Sequence, residues 1–170
     1  PSFESALLYP GLCLFEGTNL SVGRGTDAPF QRVAAPWLRA TRLIEAVGDV
    51  LSPAVHLVAE RVTPREGPFS GERCEGVRVE VRDARDVRPV ALALTLLGAV
   101  VRAETGAFAW ALYPTAANPG GGKHFERLVG RRGIAERLAD VATPVTVGDI
   151  ARWTDVEGWP NLVRNALLYT

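Results

Sequence analysis

The chain has 170 residues, 47% apolar and 22% charged, and nineteen basic side chains balance nineteen acidic ones. That length and mix suit one folded domain with a hydrophobic core and exclude a largely disordered chain. Zero formal net charge leaves no electrostatic footprint for nucleic acid or an anionic membrane surface, and the longest apolar run, residues 90–101, is too short to cross a hydrocarbon core.

The chain opens on Pro1, contains no methionine and shows no signal-peptide pattern, as expected of a processed or excised piece. Residues 6–15 are apolar but divided by Pro10 and Gly11. They read either as a kinked helix or as two short extended pieces. Residues 19–30, with three glycines and a proline, read as loop. Past Pro36, Ala40, Leu43, Ile44 and Val47 recur at helical spacing, and Gly48 is a natural stop. Residues 55–62 are rich in β-branched side chains. Val77, Val79 and Val81 alternate with Arg78, Glu80 and Arg82, which predicts a strand with one buried face. Residues 90–102 are apolar nearly all round and predict a helix held between layers.

Phe108, Trp110 and Leu112 alternate with small residues and suggest another strand, which Asn118-Pro119-Gly120 ends. The remainder is helical. Phe125, Leu128 and Val129 share a face, as do Ile134 and Leu138. Thr146 and Asp149 form a capping-box pattern ahead of Ile150 and Trp153, and Pro160 suits the first position of a further helical turn. The expected fold is α+β: a single domain with a small, mostly antiparallel sheet, a buried central helix and a helical C-terminal part.

Several chemical motifs fail. Gly120-Gly121-Gly122-Lys123-His124 lacks both the first glycine and the Ser or Thr of a phosphate-binding loop, and Gly23-Arg24-Gly25 is too short for a dinucleotide fingerprint. His56 and His124 have no third ligand in a metal spacing, and Ser21 is not set in a nucleophile elbow. Cys13 and Cys74 lie far apart in sequence. They read as two buried thiols, or as one disulfide in an oxidising compartment. No metal or cofactor is expected.

Phe15-Glu16-Gly17-Thr18-Asn19-Leu20-Ser21-Val22-Gly23-Arg24-Gly25-Thr26 leaves two readings open. In one, Glu16 is a helix-end acid, and Asn19 and Ser21 are ordinary turn residues. In the other, Glu16 is a general acid whose proton is favoured by an apolar wall, and the loop's polar side chains hold substrate.

The stretch from Ser5 through Tyr9-Pro10-Gly11 and Phe15-Glu16-Gly17 to Thr26 closely resembles the bacterial NamZ family of peptidoglycan exo-β-N-acetylmuramidases. Pro29-Phe30, Ala35-Pro36-Trp37, Pro68-Phe69 and the run from Gly71 to Val77 extend the likeness. So do Phe125, Leu128 and Gly130, and Leu167-Leu168-Tyr169 at the end. Ala34 and Glu126 depart from the family's usual glycine and aspartate.

The resemblance implies the C-terminal portion of a glycoside hydrolase that removes terminal N-acetylmuramic acid from the non-reducing end of peptidoglycan glycans. Glu16 is then one catalytic carboxyl group, and the second belongs to a missing upstream Rossmann-like domain. Tyr9, Asn19, Ser21, Arg24 and Thr26 are the implied substrate contacts, with Arg24 suited to the lactyl carboxylate. Residues 1–36 would pack on the missing domain as the active-site side, and residues 37–170 would form an auxiliary domain. The implied partners are a peptidoglycan-derived glycan and that missing domain, with no nucleic acid and no membrane span. The implied compartment is extracytoplasmic, and the fragment alone is expected to be inactive. The alternative is a non-catalytic carbohydrate-binding or protein-interaction domain with Glu16 as a structural acid.

Overall fold

The alternating valines at residues 77–81 fall in the middle strand of a three-stranded antiparallel sheet. The computed structural model describes residues 2–166. In it β1 (Arg32–Ala35), β2 (Val55–Val62) and β3 (Cys74–Val81) lie in the order β1-β3-β2. The register sets Val33 and Ala59 on either side of Val77, with Leu57 opposite Val79. Side chains two apart share a face, so Val33, Leu57, Val77 and Val79 build one buried apolar side. On the other side His56 and Glu80 pair at the exposed end. That side also holds the buried Arg32, ion-paired with Glu60 at 2.9 Å and Asp27 at 3.2 Å.

β1 was not foreseen. Arg-Val-Ala-Ala is too short and too evenly apolar to show a period of two. Its pairing makes it a strand: β3 lies on one edge, and on the other Ser21 and Ala34 exchange two backbone hydrogen bonds of 2.9 Å.

Of the two readings of residues 6–15, the helical one holds. α1 (Phe3–Leu12) runs on into a 3-10 turn, Cys13–Gly17. Ser2 caps α1 by accepting the Ser5 N–H at 3.1 Å, which answers one of the unpaired donors of a first turn. Leu8, Leu12, Leu14 and Phe15 are each at most 2% exposed. α1 packs on the central helix α3 (Pro89–Ala103). The apolar stretch of residues 6–15, expected to face a missing domain, is largely buried inside this chain, and Phe3 and Tyr9 remain exposed. Gly11 permits the contact, because a Cβ there would lie 1.8 Å from the Pro89 carbonyl oxygen.

Between these elements, α2 (Ala40–Val47) buries Ala40, Leu43 and Val47, the face its spacing foretold, with Ile44 partly covered. α3 is buried almost continuously from Leu92 to Val101, as an apolar-all-round helix between layers must be. The C-terminal part holds α4 (His124–Val129), α5 (Ile134–Ala139), α6 (Val147–Trp153) and α7 (Trp159–Val163). Ile134 and Leu138 are buried as expected, and Thr146 and Asp149 form the reciprocal capping box. The single α+β domain expected from sequence is the observed one.

Three local expectations need correction. Residues 108–112 form no strand: one isolated bridge joins Thr18 to Trp110, and Leu112 stays exposed. Pro114, two residues on, has no N–H to donate, so the pairing does not extend past the bridge. Leu128 does not share the buried face of Phe125, because α4 is one short helix stopped by Gly130 at φ 70. Pro160 sits within the first turn of α7 but not at its first position, and α7 buries no side chain. Leu167-Leu168-Tyr169 lie outside the described residues. Cys13 and Cys74 are both free and buried. Among the described residues no helix is long and apolar enough to cross a membrane.

Candidate functional site

Where the 3-10 turn after α1 ends, Glu16 is carried out of the core, although Leu14 and Phe15 before it and Gly17 after it are buried. Its side chain is only 8% exposed. Arg24 donates to Glu16 Oε1 from Nε at 2.9 Å and also from Nη2, and the Tyr113 hydroxyl donates to the same oxygen at 3.2 Å. The Arg24 guanidinium lies 5.0 Å from the centre of the Phe30 ring. Tyr9 meets that ring edge-on at 4.7 Å. Phe30 holds φ 58, a left-handed conformation costly for an aromatic residue.

Behind Tyr113, the His124 ring stacks at 4.4 Å with 19° between planes. Burial pulls His124 below the ordinary histidine value, nearby Arg127 adds to this, and the charge of Glu16 opposes it. Burial also pushes the Tyr113 hydroxyl up, helped by the Glu16 charge and opposed by Arg24. A neutral phenol therefore faces a carboxylate already paired with a guanidinium. Gly17 lets these parts meet: a Cβ there would lie 2.6 Å from the Phe125 backbone nitrogen. The Thr18–Trp110 bridge holds the two segments together, through Asn19 N–H to the Ala109 carbonyl and Ala111 N–H to the Gly17 carbonyl.

Glu16, Arg24 and Tyr113 line a cavity of about 380 Å³, with Ser21, Glu66 and Pro68 on its rim. Such a volume falls within the range of small-molecule sites. Among the described residues no three His, Cys, Asp or Glu side chains gather as a metal site. The arrangement offers an oriented carboxyl group held by a cation and a phenol at the side of a cleft that a second carboxyl group, Glu66, also lines.

The family model for the C-terminal part of exo-beta-N-acetylmuramidase NamZ matches residues 7–169. The chain belongs to the NamZ C-terminal family. Among its relatives, the peptidoglycan beta-N-acetylmuramidase NamZ of Bacillus subtilis (strain 168) is 36% identical over 97 residues, which are 57% of this chain and 23% of that protein. Crystal structures of two DUF1343 family proteins from Bacteroides fragilis NCTC 9343 share the fold across the whole chain. They give TM-scores of 0.74 at 20% identity and 0.62 at 23% identity. The chain spans 43% and 42% of those two proteins, less than half their length.

Within this NamZ C-terminal domain, the structure sorts the sequence-derived site residues into two groups. Glu16 and Arg24 come together, with Tyr9 beside them through Phe30. The Arg24 fork, expected to receive a substrate carboxylate, is turned on Glu16 through two of its nitrogens. The apolar wall expected around Glu16 faces the core instead.

Asn19, Ser21 and Thr26 use their side chains within the chain. Asn19 donates to the Ala107 carbonyl at 2.8 Å and accepts the Ala109 N–H at 2.9 Å. Ser21 Oγ accepts the Gly23 N–H at 3.2 Å and is 1% exposed, although its residue borders the cavity. Thr26 donates to the Gly23 carbonyl at 2.6 Å and accepts from Arg32. Tyr113 was missed as a partner of Glu16, and His124 as the ring stacked behind Tyr113. The alternation over residues 108–112 steps past Tyr113, and His124 invites only metal and phosphate readings. Nothing in sequence shows that Tyr113 lies against Glu16, 97 residues away.

Proposed function

We propose that this chain is the C-terminal portion of a glycoside hydrolase that releases terminal N-acetylmuramic acid from the non-reducing end of peptidoglycan glycans. The observation that carries this reading is the Glu16 carboxyl group, buried to 8% exposure and gripped on one oxygen at the edge of a cleft. Glycosidases flank the scissile bond with two carboxyl groups. In this reading Glu16 is one of them. The other comes from an upstream Rossmann-like domain that closes the open side of the cleft.

Membership in the NamZ C-terminal family supports the activity, and the share of the relatives' length that this chain spans leaves room for such a domain. Phe3, 69% exposed, and Tyr9, 47% exposed, present apolar surface on α1 to it. Arg24 holds Glu16 and presents its remaining nitrogen to the substrate's lactyl carboxylate. Tyr9 flanks the sugar, and Asn19, Ser21 and Thr26 shape the loop that positions both. A substrate in the cell wall places the enzyme outside the cytoplasm.

The test is Glu16→Gln in the full-length protein that carries this chain, assayed on a chromogenic β-N-acetylmuramide. The change keeps the size of the side chain and removes its acid–base capacity. kcat should fall by about 10²–10⁴-fold, the usual share of a general acid or base, with the unfolding midpoint retained. An intact kcat with a raised KM would demote Glu16 to a binding residue. Intact kcat and KM with a lowered midpoint would make it a structural acid and favour a non-catalytic domain.

A further inference from the structure

All the hydrogen bonds to the Glu16 carboxylate among the described residues converge on Oε1, and Oε2 accepts none. Three donors on one oxygen pin the plane of the carboxylate and leave the other oxygen available. Arg24 approaches from the glycine loop and Tyr113 from the segment that follows α3, so the two grips come from parts of the chain 89 positions apart. We propose that Tyr113 is a positioning residue of this site: its hydroxyl, acting with Arg24, holds Glu16 through Oε1 so that Oε2 meets the substrate.

The tyrosine is itself held on two sides. Its backbone N–H donates to the Gly121 carbonyl at 3.0 Å, which closes the loop through Asn118 and Pro119. Gly121 is buried at φ 68, and a Cβ there would lie 2.7 Å from the Tyr113 nitrogen. The His124 ring covers one face of the phenol. His124 opens α4, and the next residue, Phe125, packs on Gly17 beside Glu16. The phenol is therefore built into the site from its base upward, and only its hydroxyl reaches the carboxylate. Because it stays protonated at neutral pH, the hydroxyl donates to Oε1 and does not compete with it for Arg24.

This inference rests on the reading of Glu16 as a catalytic carboxyl group, and the test separates the two. Tyr113→Phe keeps the ring on His124 and removes only the hydroxyl. In the full-length protein, assayed on the chromogenic β-N-acetylmuramide, kcat should fall roughly 10–100-fold, the scale of loss when a reacting group is misplaced by about an ångström. KM should stay within about threefold, since a group that acts on Glu16 alone changes the reacting step more than binding. The double variant Tyr113→Phe, Glu16→Gln should be no slower than Glu16→Gln alone, because residues acting as one unit are not additive.

Unchanged kcat in Tyr113→Phe, alongside a disabled Glu16→Gln, would overturn the positioning role and leave the catalytic reading intact. Full activity in Glu16→Gln would overturn both. A Tyr113→Phe protein that does not fold, or that loses only KM, would make the hydroxyl structural or substrate-binding and overturn the proposal.

Discussion

His124 is 8% exposed, and its burial penalises the imidazolium more than Glu16 favours it. A histidine whose folded value is depressed is protonated first in the unfolded chain. As pH falls through the ordinary histidine value of about 6.5, the unfolded state binds a proton that the folded state refuses, and stability falls. The contribution is fully present above that value and is lost as pH drops toward the folded one. Chemical denaturation between about pH 7 and about pH 5.5 should therefore show decreasing stability, and His124→Phe should flatten that slope. An unchanged slope in the variant would assign the loss to other groups. At the same scale, residue type left Glu16 open between a helix-end acid and a general acid, and the family resemblance singled it out together with Arg24. It did not separate them from Asn19, Ser21 and Thr26, whose side chains are consumed by backbone groups visible only after folding.

At the scale of elements, the contact of α1 with α3 decides whether residues 1–17 belong to the core. Gly11 lies inside α1, where replacing glycine by alanine ordinarily stabilises a helix by about 0.5–1 kcal/mol. Here the added Cβ would stand 1.8 Å from the Pro89 carbonyl oxygen, a backbone atom that cannot rotate away. Overpacking of this kind costs roughly 1–3 kcal/mol, so it outweighs the propensity gain. Gly11→Ala should lower the denaturation midpoint, and a raised midpoint would show that α1 sits farther from α3 than described. Elements with a strong period were legible: α2 by its three- and four-residue spacing, β3 by its alternation, α3 by its continuous apolarity. The failures are pieces whose state depends on a neighbour. β1 is a strand because β3 and Ser21 pair with it, and residues 108–112 are not, because only one bridge forms.

At the scale of the molecule, Glu16, Arg24 and Tyr113 line a space that stays open to solvent. A glycosidase needs a second carboxyl group across the scissile bond, and the proposed function draws it from another domain. Residues 1–170 alone should then release no chromophore from a β-N-acetylmuramide, whereas the full-length protein should. Turnover by the purified fragment above a mock preparation would place both catalytic groups in this chain, with Glu66, the other carboxylate on the cleft, as the first to examine.

Legible in the sequence were the class of fold, the helices and strand with an unmistakable period, and the family, through which Glu16 became the acid to test. Each is written in residues close together in the chain, where periodicity and a long contiguous motif need no knowledge of packing. Only the tertiary structure decided that the apolar stretch before Glu16 packs on α3, that Arg24 grips Glu16, and that Tyr113, backed by His124, grips it too. Those facts depend on segments up to 108 positions apart, Gly17 and Phe125, meeting closely enough that no side chain fits between them. Local patterns carry no trace of such meetings, because the contact that fixes each side chain is supplied by a part of the chain with its own independent period.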